Sequence, residues 1–114
     1  MFRRWIVPAV LAATACGGGD DRKFSSPEAI AQALGCEYRA FTSVVGPGTA
    51  QGGCDYAGAS MSLTTTSISG QAARLADVVA KEQVTVLVGA NWLVVSRDAA
   101  AVAEARDVLG GVLR

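Results

Sequence analysis

An apolar run that stops at a cysteine divides this chain and decides how much of it is left to fold. Arg3 and Arg4 precede eleven largely apolar residues, Trp5 to Ala15, and then come Cys16 and Gly17-Gly18-Gly19-Asp20-Asp21. A basic start, a short apolar core and small residues at its end are the layout of an export signal that is removed after use. Eleven helical residues span about 16 Å, roughly half of a ~30 Å hydrocarbon core, and Pro8 interrupts them. A permanent transmembrane helix is therefore not expected. Cleavage between Ala15 and Cys16 leaves the 99 residues from Cys16 to Arg114.

The residues around that cut, Leu11-Ala12-Ala13-Thr14-Ala15-Cys16, resemble the lipobox of bacterial lipoproteins, with Ala13 where that family favours leucine. The resemblance implies that the Cys16 thiol carries a diacylglyceryl group. It also implies that residues 1–15 are cut away, and that Cys16 becomes the N-terminus of a protein anchored on the extracytoplasmic side of the cell membrane. Ala13-Thr14-Ala15 also reads as an ordinary A-x-A cleavage site, so plain secretion after a cut at the same bond is the alternative. Cysteine count favours the first. The chain holds Cys16, Cys36 and Cys54, and secretion without acylation leaves an odd number of thiols in an oxidising compartment, whereas lipidation of Cys16 leaves one pair. Arg3-Arg4 alone is too little to indicate a twin-arginine route.

From Cys16 onward there are eight Lys or Arg against ten Asp or Glu. With no basic excess, charge points neither to nucleic acid nor to an anionic lipid surface. The expected partners are the membrane, through the N-terminal lipid, and an envelope protein or ligand. Histidine is absent, which excludes Ser-His-Asp and Cys-His nucleophile systems and histidine metal ligands. Two acid pairs, Glu37 with Asp55 and Asp77 with Glu82, are the candidates for general acid–base work, but a solvated surface is the simpler account of both. Asp20-Asp21 supplies too few fixed ligands for a divalent cation. No cofactor and no metal are expected.

Residues 16–25 read as the lipidated cysteine and a flexible tether, with four consecutive charges at Asp20 to Lys23. A single small domain is expected over 26–114. Its first element is a helix over 27–34, because Ser26 suits the N-cap, Pro27 the first position, Glu28 the positive end and Gly35 the stop. Ile30, Ala33 and Leu34 are its buried face. Strands are expected over 37–45, 54–57 and 60–68, the glycine-rich stretch Gly46 to Gly53 forming a hairpin loop and Gly58-Ala59 a turn. No Lys-Ser or Lys-Thr follows that glycine stretch, so a phosphate cradle is not indicated. In the third strand Met61 and Leu63 alternate with Ser60, Ser62 and Thr64, which are expected to form a wet, small-residue face open to a partner.

Cys36 and Cys54 enclose seventeen residues, and in an exported protein the expectation is a structural disulfide. A redox pair is the alternative, though redox dithiols usually have only two residues between them. After Gly70 the spacing of Ala72, Leu75, Ala76 and Val79 predicts an amphipathic helix over 70–82 capped by Ser69. Val84 to Val88 and Trp92 to Val95 are apolar strands, with a tight turn at Gly89-Ala90-Asn91 using positive φ. A last helix starts at Ser96 or Asp98 and lines one face with Ala101, Val102, Ala105, Val108, Leu109 and Val112. Trp92 reads as a core residue before it reads as a platform for a ligand.

The order helix, three strands, helix, two strands, helix predicts an α+β domain: a mainly antiparallel five-stranded sheet with helices packed on one face. Three kinds of function remain open. They are a non-enzymatic envelope module that binds through the Ser/Thr face, a histidine-free enzyme using carboxylates, and an inhibitor or structural domain that inserts its glycine loop into a partner.

Overall fold

The computed structural model describes residues 22–41, 46 and 48–114. The signal segment, Cys16, Asp20-Asp21 and residues 42–45 of the expected first strand lie outside them. Three helices and six strands follow in the order α1 (Pro27–Leu34), β1 (Arg39–Ala40), β2 (Thr49–Tyr56), β3 (Ala59–Thr66), α2 (Gln71–Val79), β4 (Thr85–Val88), β5 (Trp92–Ser96), α3 (Ala99–Leu109) and β6 (Val112–Leu113). One sheet holds all six strands in the order β1-β2-β3-β5-β4-β6, each pair antiparallel. The class is α+β, as expected.

Local chemistry bounds α1 and starts α3 where it was read. By contrast, α2 spans Gln71–Val79 and not 70–82, with Gly70 at its N-cap and no side-chain cap from the expected Ser69. Ser26 Oγ accepts from the Ala29 N–H at 3.2 Å, and Gly35 closes α1 with φ of 77°. Asp98 Oδ1 accepts from the Ala101 N–H at 3.1 Å and caps α3. That helix ends earlier than its apolar pattern suggests. Gly110 and Gly111 both take positive φ, which breaks the helix and lets Val112–Leu113 add a sixth strand beside β4. Val112 is accordingly exposed, as is Val108.

The expected glycine loop is largely strand. Thr49 to Gly53 belong to β2, where Gly52 and Gly53 leave space that aromatic rings occupy. A Cβ on Gly52 would lie 2.3 Å from the Tyr38 ring, and one on Gly53 would lie 2.9 Å from the Phe41 ring. The hairpin turn falls one residue earlier than expected, at Ala57–Gly58, where φ of 52° and 78° matches the twist of the flanking strands. At the β4–β5 turn the expected use of positive φ is not seen: Gly89 and Asn91 stay outside that region.

Helices lie on both faces of the sheet, not one. Met61, Leu63, Leu87, Trp92 and Val94 face α1 and α3, whose Ile30, Ala31, Leu34, Ala101, Val102, Ala105 and Leu109 complete the main core. On the opposite face Val86, Val88 and Leu93 meet Ala72, Leu75, Ala76 and Val79 of α2. Topology explains the split. The connections β3–α2–β4 and β5–α3–β6 each step over one strand in the same direction across the sheet, yet β3 and β5 run oppositely. Two crossovers of the same hand must then place their helices on opposite faces.

Two covalent or polar ties join the periphery to this core. Cys36 and Cys54 are disulfide-bonded, linking the chain after α1 to β2. The residues before α1 are seated on the β4–β5 turn, so the expected tether is fixed from Arg22 onward. The Asn91 side chain accepts from the Phe24 N–H at 3.0 Å and donates to its carbonyl at 2.7 Å. Trp92 Nε1 donates to the Arg22 carbonyl at 2.9 Å, and Phe24 is buried edge-on against the Trp92 ring. Four consecutive charges suggested solvent, but Phe24 is apolar enough to dock once a partner ring is available.

Candidate binding groove

Six strands at ~4.8 Å span about 24 Å, whereas one helix is only ~10–12 Å across. Two helices therefore cover the first sheet face, while α2 alone covers only β4, β5 and the near edge of β3 on the second. Beyond α2 the second face is carried by β2 and β3. A groove forms there, between Gln71, Leu75 and Val79 of α2 and Thr49, Gln51, Ser62 and Thr64 of the strands, with Leu93 and Val95 in its floor.

The strand residues reach this groove because side chains alternate across a strand. Met61 and Leu63 point into the main core and are almost fully buried, while Ser60, Ser62 and Thr64 point the other way. The face read from the sequence is thus assigned to the correct side, but it is not uniformly wet. Ser60 is exposed, Ser62 is half-buried, and Thr64 is only 5% exposed beside α2. Thr64 is corrected from a solvent-facing residue to part of the groove wall.

Gln51 Nε2 donates to Ser62 Oγ and Thr64 Oγ1 at 3.4 Å each. These are longer than the usual 2.7–3.2 Å of N–H···O bonds and correspondingly weak. Gln71, across the groove, is held by Arg74, whose Nη2 donates to its Oε1 at 2.8 Å. The enclosed volume is about 180 Å³, below the ~300–1,000 Å³ of sites for drug-sized molecules and suited to one inserted side chain. A shallower trough of about 500 Å³ continues from Ser62 and Val95 toward Phe41, Ser60 and Arg97.

No titratable side chain lines the deeper groove. Of the acids considered from the sequence, Glu37, Asp55, Asp77 and Glu82 do not line this groove. Asp55 pairs with Arg39 at 3.2 Å across β1 and β2, and Asp77 pairs with Arg114, both on the surface. Burial, followed by the charges of Glu104 and Asp107, raises the Tyr56 phenol above the usual tyrosine value, but Tyr56 borders the main core on the first face. Trp92 is fully buried and offers no platform. Among the described residues no three His, Cys, Asp or Glu side chains are grouped to hold a metal ion, and no helix is long and apolar enough to cross a membrane.

Gln51 and Gln71 were not singled out from the sequence, and Leu75 was read only as part of the apolar stripe of its helix. Gln51 fell in the stretch read as a glycine loop, and the two α2 residues gain a role only because α2 lies on the second face. Comparison of the chain with protein families, characterised proteins and solved structures finds no match.

Proposed function

We propose that this protein is a membrane-anchored lipoprotein of the cell envelope, held by lipidated Cys16 on the extracytoplasmic side, and that it acts as a non-enzymatic binding module. The observation that carries the binding reading is the half-covered second sheet face. Its groove offers hydroxyls, amides and aliphatic surface with no ionisable group, which suits docking of a neutral side chain from an envelope partner and supplies no acid or base for chemistry. The anchoring reading rests on the lipobox resemblance and on the odd cysteine that acylation accounts for.

Chain count makes the anchor testable: one acyl chain holds a protein marginally, whereas two or three make release slow. Wild-type protein should fractionate with membranes and show an acylated N-terminal Cys16 by mass spectrometry. Cys16→Ser, or inhibition of the lipoprotein signal peptidase, should change its size or its membrane partition. Unacylated wild-type protein in the culture medium would refute the anchor. For the binding face, the partner captured from detergent-solubilised envelope by wild type should be lost with Ser62→Arg, and its retention would remove the groove from the proposal.

A further inference from the structure

The seated residues Arg22 to Ser25 decide where the chain leaves the domain. Arg22 is held by its carbonyl to Trp92 Nε1, and its guanidinium donates to the Val108 carbonyl at 3.2 Å while lying 4.7 Å from the centre of the Phe24 ring. The exit point is therefore fixed at one end of the sheet. At that end also lie the turn Gly89–Asn91, the connection from Ser67 to Gly70 and the C-terminus of α3. The opposite end carries the Ala57–Gly58 turn and the connection from α2 to β4.

Five residues separate Cys16 from Arg22, so a fully extended chain places Arg22 at most about 20 Å from the acylated cysteine. The strand β3, with eight residues, is itself about 26 Å long. Exposed at the exit end are Ile68 and Val108, two of the large apolar side chains that the fold leaves in solvent, together with Lys23 and Ala90. We infer that this end of the sheet, around Ile68, Ala90 and Lys23, is a lipid-facing surface held against the bilayer by the clamp on Arg22 and Phe24. The inference rests on the acylation of Cys16 proposed above, and it assigns apposition to tether length and apolar contact, not to net charge.

The test uses the acylated mature protein, disulfide intact, in vesicles of phosphatidylethanolamine and phosphatidylglycerol that include a nitroxide-headgroup lipid. An environment-sensitive fluorophore is attached at Ile68→Cys or Ala90→Cys at the exit end, or at Gln83→Cys at the far end. Quenching and a blue-shifted emission are expected at 68 and 90 and neither at 83. Asn91→Ala, which removes both side-chain bonds to Phe24, should abolish the contrast while the circular dichroism spectrum stays folded. Equal quenching at both ends of a protein whose Cys16 is acylated by mass spectrometry overturns the orientation and leaves the anchor standing. An unacylated Cys16 overturns both.

Discussion

Gly89 shows how one missing side chain can serve a distant segment. Its backbone sits where a Cβ would lie 2.0 Å from the Trp92 indole, and the indole in turn buries Phe24 and binds the Arg22 carbonyl. Gly89→Ala should therefore force the ring aside and destabilise the domain by about 1–3 kcal/mol, the usual cost of overpacking a core. Removal of residues 1–15 leaves Trp92 as the sole tryptophan of the chain, so its emission reports the displacement directly. A lower melting temperature with a red-shifted spectrum is expected, and unchanged values would mean that the turn relaxes without moving the ring. The sequence marked Gly89 and Asn91 as turn residues, which is correct, but for the wrong reason. Their roles depend on a ring and a backbone segment that meet them only in the folded chain, and local spacing holds no record of either.

At the level of elements, what was legible is what neighbouring residues decide between themselves. The caps at Ser26 and Asp98, the apolar stripe of α2 and the two faces of β3 all follow from contacts within a few residues. The side of the sheet that α2 covers does not, because it depends on β5 lying between β3 and β4. The same crossover turns Thr64 from an exposed residue into a groove wall, and the sixth strand exists only because two glycines end α3 before its apolar pattern runs out. The face assignment of β3 can be tested directly. Ser62→Arg adds a long side chain that can extend along the groove into water, so its melt should stay close to wild type, within about 1 kcal/mol. Leu63→Asp, one position along, places a carboxylate where no accessible surface remains, and the domain should not fold. Melts in the reverse order would show that the two faces have been exchanged.

For the molecule as a whole, the question is how so small a chain holds two separate apolar clusters on one sheet. A domain of this size buries a smaller share of its surface than a larger one, and its stability falls in the common range of ~5–15 kcal/mol. The disulfide acts on the element most in need of help, since α1 has only eight residues and isolated helices of that length are unstable in water. Cys54 is fully buried in β2 beneath α1, so the bridge both shortens the unfolded chain's loop and holds α1 over the main core. In the loop-closure treatment a bridge of this span contributes about 3 kcal/mol. Replacing Cys36 and Cys54 together by alanine should lower the stability measured by urea unfolding by about 2–5 kcal/mol, with a small part arising from the space left at position 54. The loss should appear chiefly as a lower midpoint, and the slope should steepen if the unfolded chain, freed of its loop, exposes more surface. Wild type treated with reductant should approach the same midpoint, because the missing constraint is the same. If neither treatment moves the transition, the bridge does not stabilise the fold, and α1 is held by its apolar contacts, Ile30, Ala31 and Leu34 foremost. A large shift would instead make folding depend on an oxidising compartment, the environment to which an exported chain is delivered.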